Sequence, residues 1–278
     1  MNGGIRFING EVRILEVMKS KFIIFATMVH LEKSEEWFES WFDSPYYHVL
    51  YDHRNDDEAR EFIESLTKFI ELESGATVLD LCCGAGRHSR VIHALGFDTT
   101  GCDLSANSIA TAKEFEQDGL RFFRHDMRDP LPAQYDAIFN LFTSFGYFET
   151  LEDNARVLNS VIDALNPNGI FVLDFMHAEG VIRNLTPQDT IEKRCPDGRC
   201  VEFHITREVI DGRIVKTIAF EAEEKKHVYQ EKVQALTKSD FERLFAASGL
   251  TVKNWIGNYR CEPFESESAD RLIAICTK

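Results

Sequence analysis

Three aspartates stand at the ends of short strand-like segments in the first half of the chain. They are Asp80, Asp103 and Asp126, and the residues before each of them are interpreted as a short β-strand. Acids at the ends of successive parallel strands meet at one edge of a sheet. Carboxylates at such an edge accept hydrogen bonds from hydroxyl and ammonium groups, whereas they repel a pyrophosphate. The pattern therefore indicates a binding edge for a ligand that carries such donors.

A glycine-containing loop follows the first of these segments. Residues 78–81 run into Gly84 and Gly86, and an apolar helical pattern follows at 91–95, which predicts a strand, a tight loop and a helix. Glycine lets a ligand approach the backbone, and the first turn of the helix offers unpaired amide groups. A dinucleotide-binding loop would have a third glycine where Ser89 stands. The loop is interpreted as a binding loop for an anion or a nucleotide. The alternative interpretation is a buried turn without a ligand.

The spacing of the second acid from the loop has a chemical interpretation. Asp103 lies nineteen positions after Gly84, about the offset at which Rossmann-like folds place a carboxylate against ribose hydroxyls. A carboxylate there accepts both hydroxyl hydrogens at once. The alternative is a helix N-cap, which is the weaker interpretation because Ser105 can cap that helix by itself.

The elements that must position these residues alternate between strand and helix patterns, as in α/β proteins. Strands are predicted at 78–81, 98–103, 135–142 and 170–176 and from residue 121, and helices at 34–42, 57–72, 88–95, 105–115 and 154–165. After residue 177 the pattern predicts extended segments at 201–210, 213–223 and 227–236, with Asp211-Gly212 as a hairpin turn. A helix after Thr237 and strands at 250–256 and 272–275 complete the chain.

Several of these segments resemble one protein family. Residues 78–89 resemble the first motif of the class I (Rossmann-like) S-adenosylmethionine-dependent methyltransferases, and residues 135–142 resemble the fourth-strand motif of members that act on small molecules. The resemblance covers 57–278 apart from the insertion. It implies an α/β fold with a doubly wound seven-stranded sheet, mostly parallel with an antiparallel C-terminal hairpin strand. A small antiparallel β insertion follows the fifth strand.

The same resemblance implies a domain organisation and a cofactor. Residues 1–33 are interpreted as an N-terminal extension, 34–56 as a lid helix and loop, 57–177 and 237–278 as the core, and 178–236 as an insertion covering the active site. The implied cofactor is S-adenosyl-L-methionine, with S-adenosyl-L-homocysteine as product. The residues expected to bind it are Arg54, Asp80, Cys82, Gly84, Gly86, Asp103, Leu104, Asp126, Met127, Asn140 and Phe142.

Position within the family pattern gives these residues expected roles. Asp103 is expected at the ribose, Asp126 and Met127 at the adenine, and Asn140 and Phe142 at the methionine end. Asp80 is expected to organise the loop and the ammonium group. Arg54 is expected at the cofactor carboxylate, with an ordinary surface arginine as the alternative.

The expected reaction is direct displacement of the methyl group onto a small-molecule acceptor. Its pocket is expected to draw on Tyr46, Tyr47, Tyr147, Phe148 and His177, of which His177, Tyr47 and Tyr147 are the candidate catalytic residues. Aromatic walls suit a planar or cationic acceptor, and they suit plain packing equally well.

Three other classes of function remain as alternatives. A protein or RNA methyltransferase is one, although the net charge of −15 disfavours long contacts with nucleic acid. Leu141 and Phe142 after Asn140 also replace the Asn-Pro-Pro motif of enzymes that methylate nucleic acid amino groups. A nicotinamide-dependent oxidoreductase and a non-catalytic cofactor-binding protein are the others.

The cysteines and the apolar runs bound the setting of the protein. The seven cysteines are scattered and odd in number, so we interpret them as reduced thiols of a cytoplasmic protein. Cys195 and Cys200 lack a second pair at ligand spacing, and no metal is predicted. No run reaches the roughly 20 apolar residues of a membrane span, and no membrane or nucleic acid partner is expected. The sequence leaves open whether the insertion mediates a homodimer.

Overall fold

The computed structural model describes residues 6–8, 11–13, 36–52 and 56–278. The chain separates into two units, residues 1–36 and residues 37–278. In the first unit the strands β1 (Arg6–Ile8) and β2 (Glu11–Arg13) pair in antiparallel fashion. The rest of the predicted N-terminal extension lies outside the described residues.

A seven-stranded sheet forms the centre of the second unit. Its strands are β3 (Thr77–Leu81), β4 (Asp98–Asp103), β5 (Leu120–Arg124), β6 (Tyr135–Asn140), β7 (Leu165–Met176), β12 (Thr251–Ile256) and β13 (Arg271–Thr277). They lie in the order β12-β13-β7-β6-β3-β4-β5, and β13 is antiparallel to both of its neighbours while β3 to β7 pair in parallel. The predicted fold class is confirmed.

Helices cover both faces of this sheet because its central strands are apolar on both sides. The helices are α3 (Asp56–Phe69), α4 (Arg87–Ala94), α5 (Ala106–Lys113), α6 (Leu151–Ala164), α7 (Ala178–Arg183) and α8 (Lys238–Ser248). Phe62 of α3 and Ile92 of α4 are buried in one cluster, whereas Val161 of α6 and Phe245 of α8 are buried in another. The sheet is therefore doubly wound.

A separate antiparallel sheet lies between β7 and α8 in the chain. It comprises β8 (Gln188–Arg194), β9 (Cys200–Ile210), β10 (Arg213–Ala222) and β11 (Lys225–Gln234), in the order β11-β10-β9-β8. The hairpin at Asp211-Gly212 forms as predicted, with both residues at positive φ. The three predicted extended segments are the strands β9, β10 and β11, and β8 is a fourth strand that was not predicted. It is a mostly exposed edge strand, and Ile191 is its one aliphatic residue.

Two short helices, α1 (Trp37–Phe42) and α2 (Pro45–Leu50), precede the core, where one helix and a loop were expected. The second helix forms because Ser44 caps it and Pro45 occupies its first position, where the missing amide costs nothing. Trp41 and Leu50 are buried against the antiparallel sheet, in one cluster with Phe203 and Phe220. We call residues 37–50 the cover segment.

Candidate active site

The three predicted acids reach the same edge of the central sheet. β3, β4 and β5 are parallel neighbours, with Asp80 opposite Gly101 and Asp103 opposite Arg124. Asp126 follows β5 by two residues. The negative charge of Asp103 contributes to a raised pKa at Asp80, so the two carboxyl groups lie within electrostatic reach of each other.

Asp80 is buried behind the glycine loop, with only 1 % of its surface exposed. Burial raises its pKa to about 6, the hydrogen bond from Ser89 opposes the rise, and the charge of Asp103 adds to it. Ser89 Oγ donates to Asp80 Oδ2 at 2.6 Å. The serine at the place of a third glycine therefore satisfies the buried carboxyl group, a role that the sequence did not reveal.

Glycine is favoured at the two positions of the loop, Gly84 and Gly86, for different structural reasons. A Cβ atom at Gly86 would lie 2.8 Å from the ring of Phe122, so its contact is with β5 of its own chain. Gly101 has the same reason, since a Cβ there would lie 2.6 Å from that ring. A Cβ at Gly84 would meet no described atom within 4 Å, although its φ of +54° favours glycine. Gly84 therefore borders open space, whereas Gly86 does not.

Asp103 links the glycine loop to the start of α5. Its Oδ2 accepts from the amide of Gly84 at 2.8 Å and its Oδ1 accepts from the amide of Ser105 at 2.9 Å. Burial raises the pKa of Asp103, and these backbone hydrogen bonds oppose the rise. Ser105 caps α5 by accepting from the amide of Ser108. The helix therefore does not need Asp103 as its N-cap.

The cover segment reaches this same edge. Asp43, between α1 and α2, accepts from Ser105 Oγ at 2.7 Å and from the amide of Asn107 at 2.9 Å. His48 of α2 interacts electrostatically with Asp103, whose charge opposes the lowering of the His48 pKa by burial. An acid at the start of a helix is favourable because the unpaired amides there carry positive partial charge. The cover segment is thus attached beside Asp103.

Asp126 is held by an arginine that the sequence analysis missed. Arg128 Nη2 donates to Asp126 Oδ2 at 2.6 Å and Arg128 Nε donates to Asp126 Oδ1 at 3.0 Å. The guanidinium group is buried, and it lies 4.7 Å from the ring centre of Phe148 and 5.9 Å from that of Phe38 in α1. The only sequence signal was the spacing of two residues in Asp126-Met127-Arg128.

Four of the remaining predicted cofactor residues make contacts around the ends of β3, β4 and β5. Asn140 Nδ2 donates to the Leu81 carbonyl at 3.1 Å, while its buried Oδ1 has no hydrogen-bond partner in the described part of the chain. Met127 Sδ lies 3.4 Å from Cys82 Sγ, and Cys82 has a φ of 68°. The Leu104 carbonyl accepts from Arg124 Nε at 2.8 Å. Arg54 lies outside the described residues.

Comparison with known proteins gives this arrangement a family. Residues 51–254, well over half of the chain, match the family model described as a methyltransferase domain. The chain belongs to the class I S-adenosylmethionine-dependent methyltransferases. The cofactor of this methyltransferase is S-adenosylmethionine.

Individual relatives of the methyltransferase match it over part of its length. A glycine/sarcosine N-methyltransferase from Halorhodospira halochloris is 31 % identical over 156 residues, which are 54 % of this chain and 56 % of that protein. The chain thus spans little more than half of that relative. The dTDP-3-amino-3,4,6-trideoxy-alpha-D-glucopyranose N,N-dimethyltransferase of Streptomyces venezuelae is 26 % identical over 186 residues, 64 % of this chain and 76 % of that protein.

Among solved structures, an S-adenosylmethionine-dependent methyltransferase from Clostridium acetobutylicum ATCC 824 has a TM-score of 0.68 at 19 % identity. The match covers 84 % of this chain and 95 % of that one. A likeness at this level of identity supports the fold.

The residues at the edge fit the cofactor of the methyltransferase. S-adenosylmethionine presents an ammonium group and ribose hydroxyls, which are hydrogen-bond donors, and it has no phosphate. The edge contains hydrogen-bond acceptors of the matching kind in the carboxyl groups of Asp80 and Asp103 and in Asn140 Oδ1, which has no partner among the described residues. Within residues 36–52 and 56–278, no cluster of side chains is suited to hold a metal ion, and no helix has the length and apolarity of a membrane span.

The loop after β6 of the methyltransferase has a strained backbone. Phe142 and Thr143 have φ angles of 69° and 59°, a conformation that costs a residue with a Cβ atom about 1–2 kcal/mol. Asp174 Oδ2 accepts from the Phe142 amide at 2.8 Å, and the Asp174 carbonyl accepts from the Thr143 amide at 2.9 Å. Arg271 Nε donates to Asp174 Oδ1 at 2.7 Å. No local sequence pattern marks this pair, whose members are 97 positions apart.

Two of the residues predicted to line the pocket for the methyl acceptor lie close together in the methyltransferase. The rings of Tyr47 and Tyr147 both contact Phe42, at centroid distances of 5.0 and 5.4 Å. Tyr147 donates its hydroxyl proton to the Thr143 carbonyl, and burial raises its pKa well above the usual value.

The other predicted acceptor residues have different surroundings. Tyr46 contacts Phe220 of β10 at 4.7 Å, and Phe148 is buried in the core. His177 is 3 % exposed, its Nδ1 donates to the Ala269 carbonyl at 3.0 Å, and its Nε2 lies 3.8 Å from the Glu179 carboxylate. These contacts place the ring of His177 at the start of α7.

A carboxylate of the antiparallel sheet holds the cover segment. Glu231 Oε1 of β11 accepts from Trp41 Nε1 and from the Tyr51 hydroxyl, both at 2.8 Å. Lys216 Nζ of β10 donates to that hydroxyl at 2.6 Å and lies 3.6 Å from Glu231 Oε2. The antiparallel sheet of the methyltransferase therefore bonds directly to the segment that lies beside Asp103.

Proposed function

We propose that this chain transfers the methyl group of S-adenosylmethionine to a small-molecule acceptor by direct displacement. The observation that supports a small-molecule acceptor is that the cover segment is hydrogen-bonded in place at the sheet edge where the cofactor is expected. The cover segment is attached on one side to the start of α5 through Asp43 and on the other to β11 through Glu231. A long polymer could reach the edge only if these bonds opened.

The cofactor supplies a methyl group that its sulfonium charge has already activated, so the chain must mainly align an acceptor and exclude water. In this proposal Asp103 and Asn140 Oδ1 accept hydrogen bonds from the cofactor, and Asp80 faces its ammonium group. The cover segment excludes water from the reacting atoms.

The candidate catalytic residues divide by their proton chemistry. The proton of Tyr147 is engaged by a carbonyl and its pKa is raised by burial, so Tyr147 orients the acceptor and does not remove a proton. His177 Nδ1 carries a proton because a carbonyl can only accept, which leaves Nε2 as the basic nitrogen. His177 is our candidate for taking a proton where the methyl acceptor must lose one. Tyr47 contributes to the aromatic wall of the acceptor pocket.

Small amines are the first acceptors to test. The two relatives with the matches above are an N-methyltransferase of glycine or sarcosine and an N,N-dimethyltransferase of an amino sugar nucleotide. An amine lone pair needs no strong base once it is neutral, which agrees with a site whose tyrosine is fully protonated.

Label transfer from methyl-labelled S-adenosylmethionine tests the proposal. The protein is incubated separately with glycine, sarcosine, amino sugars, a small-metabolite extract, total RNA and a protein fraction, and Asp103→Ala serves as the control that lacks the ribose acceptor. We expect label in a small molecule with the wild-type chain and at least about 100-fold less with Asp103→Ala. Label in RNA or protein alone, or in no fraction, would contradict the proposal.

A further inference from the structure

We propose that Asp174 and Arg271 are positioning residues that fix the loop after β6 in the shape needed by the methionine end of the cofactor. Neither residue belongs to the glycine loop or to the acids at the strand ends. The proposal rests on cofactor binding by this methyltransferase and is independent of which acceptor it uses.

The sheet places this pair at the edge where the cofactor binds. β7 and β13 are antiparallel, and Asp174 lies opposite Ile273, so Asp174 and Arg271 are diagonal neighbours on one face. Asp174 is 1 % exposed. Its carboxylate accepts from Arg271 Nε at 2.7 Å and from the Tyr259 hydroxyl at 3.2 Å, so the buried charge is paired and hydrogen-bonded.

The pair bonds to both residues of the strained loop. Asp174 accepts from the amide of Phe142 through its carboxylate and from the amide of Thr143 through its carbonyl. Arg271 Nη2 donates to Thr143 Oγ1 at 2.9 Å. Two consecutive residues with side chains adopt the left-handed region only where the surroundings stabilise it. Asp174 and Arg271 supply that stabilisation.

The loop in turn sets three side chains of the candidate site. Asn140, with its unpaired Oδ1, is the last residue of β6 before the loop. The Phe142 ring lies 5.6 Å from the Arg87 guanidinium and so faces the first turn of α4. Tyr147 bonds to the carbonyl of Thr143. A relaxed loop would therefore move all three, although neither Asp174 nor Arg271 needs to touch the cofactor.

The test measures the dissociation constant for S-adenosylhomocysteine by calorimetry, at a temperature well below the melting point of every variant. Asp174→Asn keeps the size of the side chain and removes its charge, and we expect it to raise the dissociation constant about tenfold or more. Arg271→Lys keeps the charge but cannot bond Asp174 and Thr143 as a fork, so we expect a smaller rise of about threefold. Arg271→Lys also serves if Asp174→Asn does not fold.

The matched control is Asp136→Asn, at the opposite end of the same sheet. Asp136 accepts from the amide and hydroxyl of Thr77 at 2.9 and 2.8 Å and from Asn166 Nδ2 at 2.8 Å. It therefore joins three strands much as Asp174 does, but away from the cofactor edge. We expect it to lower the melting temperature and to leave the dissociation constant within about twofold.

A rescue variant separates loop shape from general stability. Glycine adopts the left-handed region without strain, so Thr143→Gly added to Asp174→Asn should recover part of the lost binding free energy by relieving backbone strain, even though it removes the Oγ1 atom to which Arg271 donates. The proposal is overturned if Asp174→Asn and Arg271→Lys bind S-adenosylhomocysteine like the wild type, or if Asp136→Asn weakens binding as much as Asp174→Asn. Because no acceptor is present, a wrong acceptor class would not affect these results.

Discussion

At the scale of single residues, Asp80 combines a poor setting for a charge with a place where a cation is expected. Its folded pKa of about 6 exceeds its usual value of 3.8, so the folded chain binds this proton more tightly than the unfolded chain. The contribution of this protonation to the free energy of unfolding is fully present below about pH 4 and is lost as the pH rises through about 6. A shift of this size corresponds to an order of 3 kcal/mol.

Replacing Asp80 by asparagine should therefore stabilise the protein without ligand at neutral pH. The asparagine side chain has the same size and can still accept from Ser89, but it carries no buried charge. We expect urea denaturation to give Asp80→Asn a higher unfolding free energy than the wild type at pH 7.5, by an order of 1–3 kcal/mol, and no advantage at pH 4. An equal difference at both pH values would contradict the buried-charge account.

The same substitution should weaken binding of S-adenosylhomocysteine. If the cofactor ammonium group faces Asp80, binding favours the ionised carboxylate, so wild-type affinity should fall as the pH drops from 7.5 to 5. Asp80→Asn should lose much of that pH dependence in calorimetry. Asp98→Asn is the control, because Asp98 begins β4 at the other end and makes an exposed pair with Arg121 at 3.1 Å.

Residue chemistry was predictable where it depended on strand position and hidden where it depended on partners. The three acids stand at the ends of strand-like segments of an alternating strand and helix pattern, so their common edge could be derived from the order of the elements. The role of Ser89 depends on a contact with Asp80 nine positions earlier, and that of Arg271 on a strand 97 positions away. No local pattern marks such pairs, although the aspartate inside the apolar strand β7 is one local signal of a buried polar contact.

At the scale of elements, the cover segment is too short to be stable without its neighbours. α1 and α2 have six residues each, and isolated helices of that length do not persist in water. Their stability comes from burial of Trp41 and Leu50 against the antiparallel sheet and from the hydrogen bonds that Trp41 and the adjacent Tyr51 donate to Glu231. The sheet and the cover should therefore loosen together.

Replacing Glu231 by alanine should release the cover segment selectively. Trp41 Nε1 and the Tyr51 hydroxyl would lose their acceptor, and bonds of this charged type contribute about 1.5–3 kcal/mol each. We expect faster amide hydrogen exchange across residues 37–50, slower methyl transfer and affinity for S-adenosylhomocysteine within about threefold of the wild type.

The control for this release is Glu221→Ala, which removes an exposed carboxylate of β10 paired with Lys226 at 3.6 Å. Exposed pairs of this kind contribute at most about 1 kcal/mol, so hydrogen exchange in the cover segment should not change. If Glu231→Ala left that exchange at the wild-type rate, the attachment inferred from its hydrogen bonds would be wrong.

Elements were predictable to the degree that their own residues determine them. The buried parallel strands, the Asp211-Gly212 hairpin and the cap of α8 at Thr237 all have local signals, and all formed. β8 carries little apolar signal because it is an exposed edge strand, and it exists through pairing with β9. α2 required the cap at Ser44 to be weighed against the helix-breaking tendency of Pro45.

At the scale of the whole molecule, topology determines where the site must lie. β3 to β7 are parallel, so the chain leaves each of them at the same edge. That edge collects the glycine loop, the acids and the strained loop, so a ligand bound there would contact segments that follow several of the strands. Binding should therefore stabilise residues 37–278 as a unit.

Ligand-dependent melting tests this expectation and separates the two cofactor classes. A ligand at 100 times its dissociation constant adds about 2.7 kcal/mol to the unfolding free energy, and for roughly 150–250 residues each kcal/mol raises the melting temperature by about 2–4 °C. We expect S-adenosylhomocysteine to raise it by roughly 5–10 °C. NADH should cause no shift, because its pyrophosphate would lie against the carboxyl groups of Asp80 and Asp103. A shift with NADH and none with S-adenosylhomocysteine would show that this edge binds phosphate, contrary to the arrangement of its acids.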